Sequence, residues 1–251
     1  MRDLRPALRA ARPLVHCITN PIAIGDQANI VLAAGGRPIM AEHPDEVGEI
    51  TADAGALLLN LGNITEVRIR SMERAAAAAA RAGVPVTLDL VGVGCSALRR
   101  EFALRLLAAY PVAVVRGNLS EALAALGRES HALGVDAGDR ADDAARTEVA
   151  RALARRCSAV ALVSGPVDAV SDGERAALVP GGCELMGRIT GTGCMQGALV
   201  AAFTAVAEPY DAAAFGAALL ARAGEAEAAG PMALRFEMID RVYGMEWKED
   251  V

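Results

Sequence analysis

The chain has 251 residues, 53% hydrophobic, 22% charged and only 3% aromatic, so its core has to be assembled from Ala, Val, Leu and Ile. A formal net charge of −6 argues against nucleic-acid binding through a broad basic face. There is no uncharged apolar run of membrane-spanning length and no basic segment leading into an apolar one, so the expectation is a soluble, cytoplasmic protein of one α/β domain over 1–251, with no membrane partner.

The elements alternate. The run 14–18 (Leu-Val-His-Cys-Ile) reads as a strand, followed by helices over about 26–34 and 44–52. A second strand is expected at 56–60, a helix at 65–82, a third strand at 84–90 and a helix at 97–108. Then come a strand at 111–115, a helix at 119–126, a polar loop over 128–140, a helix at 141–156 and a strand at 158–163. The strand runs are apolar throughout rather than alternating, the pattern of strands buried on both faces of a parallel sheet. The run 73–82 has the strongest helix propensity, and Gly83 supplies its stop. Residues 166–180 read as a hairpin around Asp172-Gly173, adding antiparallel strands to the parallel sheet. Beyond residue 191 the pattern is helical to the end.

Several chemistries drop out on composition. The one lysine is Lys248, so there is no Walker A Gly-Lys-Ser/Thr and no internal lysine for a Schiff base. Cysteines 17, 95, 157, 183 and 194 contain no Cys-x-x-Cys, which argues against a disulfide framework or a zinc site. Histidines 16, 43 and 131 lack metal-ligand spacing.

What remains is the run 189–195, Ile-Thr-Gly-Thr-Gly-Cys-Met, which opens a helix of small residues. A Gly-rich turn at a helix start presents unpaired backbone N–H groups and the positive end of the helix dipole, which together suit an anion. Gly191 and Gly193 let the anion approach closely, and Cys194 stands on the first turn beside it. A plain helix entry with a packed cysteine is the alternative. In an open parallel sheet ligands bind at the carboxyl ends of the strands. Those ends carry Asn20, Asn60 to Asn63, Asp89, Arg116 to Glu121, and Ser164-Gly165. Two carboxylates, Asp89 and Glu121, beside a phosphate call for a divalent cation, although Glu121 also fits a first-turn helix position capped by Asn118 or Ser120. Arg116 has no acidic neighbour in sequence and could clamp a phosphate.

Taken together, Val15-His16-Cys17-Ile18-Thr19-Asn20, Asn60-Leu61-Gly62-Asn63, Leu88-Asp89 with Val91-Gly92-Val93-Gly94, Val115-Arg116-Gly117-Asn118, Thr190-Gly191-Thr192-Gly193-Cys194-Met195 and Gly230-Pro231 resemble the hydroxyethylthiazole kinase family of the ribokinase-like superfamily. The resemblance implies a three-layer α/β/α fold with a mostly parallel central sheet and a small antiparallel hairpin. It further implies ATP-dependent phosphorylation of 4-methyl-5-(2-hydroxyethyl)thiazole with Mg²⁺, in a homotrimer with sites at subunit interfaces. On that resemblance Thr190 to Gly193 form the anion hole, with Gly191, Gly193 and Cys194 catalytic, and Cys194 stands where related sugar kinases carry an aspartate base. Asp89 and Glu121 match the metal and phosphate region. Arg116, Ser164 and Thr190 match ATP-contacting positions, Met40 and Gly191 match thiazole-contacting positions, and Asn20 lies near them. The chain departs from the family pattern at Leu90, where Pro is common, at Ser164, where Thr is usual, at Met232-Ala233-Leu234, and at Ala41-Glu42-His43, where a small apolar stretch is more usual. The last of these leaves another small vitamin-precursor alcohol as an alternative acceptor. A cysteine hydrolase built on Cys194 and a non-catalytic nucleotide binder are the remaining readings.

Overall fold

A computed structural model describes residues 1–128 and 143–248. His131 and nearly all of the 128–140 loop lie outside the described residues. Five strands, β1 (Leu14–Ile18), β2 (Arg37–Ile39), β3 (Ala56–Asn60), β4 (Val86–Asp89) and β5 (Val114–Asn118), run parallel with β6 (Val160–Ser164). The hairpin expected at 166–180 is present as β7 (Val167–Ser171) and β8 (Ala176–Pro180), antiparallel to each other, with β7 antiparallel to β6. Its turn residue Gly173 has φ +100°, a left-handed backbone that glycine adopts without a Cβ penalty. The sheet order is β2-β1-β3-β4-β5-β6-β7-β8.

Helices cover both faces. On one side lie α3 (Val47–Ala52), α4 (Glu66–Ala82), α5 (Ala97–Ala109), α6 (Leu119–Ala125) and α7 (Asp143–Cys157), packed on Leu57, Leu59, Val115 and Val163. On the other lie α1 (Arg5–Ala11), α2 (Ile24–Ala34), α8 (Thr192–Thr204), α9 (Pro209–Ala223) and α10 (Pro231–Gly244), packed on Val15, Leu58, Val114 and Leu162. Successive strand residues feed opposite cores, which is why the strand runs are apolar throughout. In α4 the Thr65 side chain caps the first turn, a run of alanines lets the helix lie close to the core, and Gly83 ends it at φ +71°.

The structure shifts several sequence boundaries. Strand 84–90 begins at Val86, and 111–115 moves to 114–118, so Arg116 and Gly117 are in the strand itself. Helix 44–52 starts at Val47, after a turn at His43 to Glu46. The C-terminal region is helical as expected, divided into three helices, with residues 245–248 beyond the last of them non-helical. Both α1 and β2 were without a sequence signal: α1 is one short amphipathic piece anchored by Leu8, and β2 is a three-residue edge strand containing Pro38. α8 lies across β1, β3, β4 and β5, with its N-terminus at the carboxyl edge of the sheet.

Candidate active site

Asn20 follows β1, Met40 follows β2, Asn60 ends β3, Asp89 ends β4, Arg116 lies near the end of β5 and Ser164 ends β6. The N-terminus of α8 meets this edge at its centre. The result is one continuous buried polar chain. Asn20 Nδ2 donates to Asn60 Oδ1 (2.9 Å) and lies 3.5 Å from Cys194 Sγ. Asn60 Nδ2 donates to Asp89 Oδ2 (2.8 Å) and to Cys194 Sγ (3.3 Å). Asp89 Oδ1 accepts from the Val91 amide (3.1 Å) and from Arg116 Nη1 (3.2 Å). Arg116 Nη2 donates to Ser164 Oγ (2.9 Å) and Nε to Gln196 Oε1 (3.3 Å). Gln196 Nε2 in turn donates to Asp168 Oδ2 (2.5 Å), and Asp168 Oδ1 accepts from the Gly165 amide (3.0 Å).

Arg116 therefore has an acidic partner, Asp89, found 27 residues away through strand pairing rather than nearby in sequence. Among the described residues three of its five N–H groups are engaged, which leaves two for another acceptor. Gly193 lies against this guanidinium: a Cβ there would sit 2.7 Å from Nη2. Gly191 is the N-cap of α8 at φ +95°, and no side chain caps the helix. The first-turn N–H groups of α8 thus point from the helix start without a capping oxygen from the N-cap residue. The Thr192 hydroxyl is turned back onto the Met186 and Ile189 carbonyls, and Thr190 is exposed.

Burial pushes the Cys194 thiol above its ordinary range, and the Asp89 carboxylate pushes it further, against the Asn60 and Asn20 amides. At neutral pH it is a thiol. Burial likewise raises Asp89; Arg116 pulls it down and Glu121 pushes it up. With three N–H donors on its oxygens, Asp89 is held as the carboxylate partner of Arg116. Glu121 completes a capping box: its Oε2 accepts from the Asn118 amide and its Oε1 from the Gly92 amide, both at 2.8 Å. The helix-terminus alternative for Glu121 is thus realised, and its carboxylate also steadies the Val91-Gly92-Val93 turn. Among the described residues no three His, Cys, Asp or Glu side chains form a cluster able to enclose a metal ion.

Beside Arg116 opens a cleft of about 620 Å³, lined also by Ser164, Asp168, Gly182, Gly193 and Gln196. It lies on the β5-to-β8 side of α8. Met40 lies on the opposite side, half-buried against the α2/α8 core. The fold thus brings together Asn20, Cys194, Asp89, Arg116, Ser164 and Gly193, and leaves Met40 and Thr190 outside the hydrogen-bonded chain. Gln196 and Asp168 were not singled out as site residues, and Asn60 only as a polar strand end; what joins them is non-local pairing. Among the described residues no histidine contacts Cys194: His16 is buried between Thr51 Oγ1 (2.8 Å) and the Ala41 carbonyl (3.0 Å), and His43 is exposed.

The model of the hydroxyethylthiazole kinase family matches residues 6–247. The chain belongs to the hydroxyethylthiazole kinase family. A protein named hydroxyethylthiazole kinase from Methanoculleus marisnigri is 44% identical over 247 residues, covering 96% of this chain and 88% of the relative. Hydroxyethylthiazole kinase 2 of Clostridium botulinum is 38% identical over 250 residues, covering 97% and 94%. The solved structure of hydroxyethylthiazole kinase from Pyrococcus horikoshii matches with a TM-score of 0.85 at 35% identity, over 95% of this chain and 91% of that one. A ribokinase-like superfamily protein from Enterococcus faecalis, at 11% identity and a TM-score of 0.64, over 93% of this chain and 88% of that one, shares the fold. The hydroxyethylthiazole kinase family is thus shown by sequence, and the ribokinase-like three-layer architecture by structure.

Proposed function

We propose that this member of the family transfers the γ-phosphoryl group of ATP to the primary alcohol of 4-methyl-5-(2-hydroxyethyl)thiazole. The observation that carries the reading is the position of the uncapped α8 N-terminus, between the Arg116 cleft and the Asn20–Cys194–Asn60 cluster. In this reading the nucleotide occupies the cleft, with Arg116 and Ser164 on its phosphates and Thr190 at the turn's outer edge. The acceptor lies on the other side, near Met40, Gly191 and Asn20. The acceptor oxygen attacks the γ-phosphorus, the bond to the bridging oxygen breaks, and ADP leaves. The first-turn amides of α8, including that of Gly193, and the two remaining Arg116 N–H groups stabilise the charge on the moving phosphoryl group. Cys194 borders the acceptor hydroxyl as a thiol. Since phosphoryl transfer is largely dissociative, the hydroxyl proton can leave late, to the transferred phosphate.

The donor set suits Mg²⁺ held through water. Glu121 repels Asp89, Arg116 pairs with Asp89, and both carboxylates already accept N–H donors, which leaves outer positions rather than an all-protein cage. Mg²⁺ bound there would neutralise phosphate charge. The Cys194 hydrolase alternative loses support, because among the described residues the sulfur faces two amide donors and no histidine. Homotrimerisation with sites at subunit interfaces belongs to the same reading. Its support is exposed apolar surface at Ile22, Met232 and Phe236, where Arg235 of α10 grips Asp26 of α2 (2.8 Å through Nε). A cytoplasmic location belongs to it as well: among the described residues no helix is long and apolar enough to cross a membrane.

The test is ADP release from Mg·ATP with and without the thiazole alcohol. Thiazole-dependent release is expected. Release stimulated better by another alcohol would move the acceptor assignment, and nucleotide binding without any turnover would leave a binding protein. Light scattering checks the assembly, and a monomer would refute the trimer.

A further inference from the structure

We infer that Arg68 is a positioning residue that sets the acceptor side of the site by clamping the Met40 segment to the Asn60–Asn63 loop; this rests on the acceptor lying near Met40. Residues 41–43, which follow Met40, form neither helix nor strand. Side chains from β1 and α4 hold them. His16 Nε2 meets the Ala41 carbonyl at 3.0 Å, Ser71 Oγ donates to the Glu42 carbonyl at 2.6 Å, and Arg68 Nε donates to Glu42 Oε2 at 2.8 Å. The same Arg68 donates through Nη1 to the Asn63 carbonyl at 2.9 Å.

That second bond is what gives Arg68 reach into the site. Asn63 stands at φ +48°, directly after Gly62, whose amide donates to Asn60 Oδ1 at 3.0 Å. Gly62 is so close to Asn20 that a Cβ would lie 2.9 Å from its Nδ2. Displacing Asn63 therefore disturbs Asn20 and Asn60, the two amides on Cys194. Among the described residues Arg68 is the one side chain hydrogen-bonded to both segments, and it is buried with only 10% of its side chain exposed, against 47% for Glu42. A planar fork bonding two acceptors at once is a role lysine fills poorly. Glu42 is also one of the polar residues by which this chain departs from the usual apolar stretch after Met40; the clamp gives its charge a partner.

The test is steady-state kinetics of Arg68→Gln and Arg68→Lys, with melting temperature measured alongside. For Arg68→Gln the KM for the thiazole alcohol should rise about tenfold, while kcat and the KM for ATP stay within about twofold. Arg68→Lys should fall between it and the wild type, because it can reach Glu42 or Asn63 but not both. A merely structural role would lower the melting temperature and leave both KM values alone, and that result overturns the inference, as does an equal rise in both KM values. Should Arg68→Gln fail to fold, Glu42→Gln removes the ion pair from its exposed side, and an unchanged thiazole KM there overturns the inference too. A wild-type chain that turns over ATP with no thiazole dependence refutes instead the acceptor assignment on which the inference stands.

Discussion

Gly193→Ala isolates the contact between the α8 turn and Arg116. The added Cβ would lie 2.7 Å from Nη2, 2.9 Å from Nη1 and 3.1 Å from Cζ of Arg116. Ordinary contact needs about 3.5 Å, so the guanidinium has to withdraw by roughly 0.8 Å. Its bonds to Asp89 and Gln196 already measure 3.2 and 3.3 Å, and that retreat takes them out of hydrogen-bonding range. Arg116 and Asp89 are both buried, so little water can replace what is lost. Weakening one charge-assisted bond and straining a second costs about 2–4 kcal/mol. For a chain of this size that lowers the melting temperature by roughly 5–15 °C. Activity should fall about 10²–10³-fold, as when one preorganised donor to a developing anion is lost. Circular dichroism melting and thiazole-dependent ADP release measure the two effects. Gly48→Ala is the control: its Cβ meets nothing within 4 Å in α3, so it should leave activity unchanged and hold or slightly raise stability. Gly193→Ala with wild-type melting and wild-type kcat/KM would refute the idea that this turn and Arg116 form one rigid unit.

Gly191→Ala places a side chain at φ +95° and 3.0 Å from the Ala23 Cβ, so it should cost about 1–3 kcal/mol and lower kcat/KM at least about tenfold; wild-type kinetics would mean the turn is not the phosphoryl site. Cys194→Asp should keep or raise kcat, because the amides of Asn20 and Asn60 that now face the sulfur would receive the carboxylate; a loss beyond about tenfold argues that the sulfur itself matters. Burial lowers the His16 pKa from 6.5, so the folded state resists a proton that the unfolded state accepts. The stability His16 contributes is therefore complete above pH 6.5 and is lost as pH falls through its depressed folded value, by at most about 1.4 kcal/mol per pH unit. Urea midpoints followed through that window should fall for the wild type and flatten for His16→Gln; parallel slopes would assign the acid sensitivity elsewhere.

The strands of the parallel sheet were legible because burial on both faces removes polar alternation, and the hairpin because Asp172-Gly173 carries its own turn chemistry. α1 and β2 were not, since a seven-residue helix and a three-residue edge strand hold too few residues for a period to show. Within the site, the Gly-rich turn and the polar strand ends were visible in order along the chain. Who bonds whom was not: Arg116 looked unpartnered because Asp89 reaches it through β4–β5 register, and Gln196 looked like any residue of a small-residue helix. Glu121 shows the converse case. Its local signal as a helix residue after Asn118 matches its hydrogen bonds, and its closeness to Asp89 comes only from the fold.

Asn60 shows why the buried chain is hard to explain as stability alone. Its Oδ1 accepts from Asn20 and from the Gly62 amide, and its Nδ2 donates to Asp89 and Cys194, so its amide is saturated and its orientation fixed. An apolar side chain in its place would take a donor from Asp89 and an acceptor from both Asn20 and the Gly62 amide. Yet a core filled throughout with apolar groups would hold the sheet edge as well or better, because burying an ion pair such as Asp89–Arg116 rarely gains net stability. The polar chain runs from Ser164 at the cleft, through Arg116, Asp89 and Asn60, to Asn20 and Cys194 on the side where we propose the acceptor binds. Each member fixes the next at hydrogen-bond precision, so the two sides of the site are held in one geometry before either ligand arrives. For a transfer in which the protein contributes mainly alignment and charge, that fixed geometry is what the buried polarity supplies.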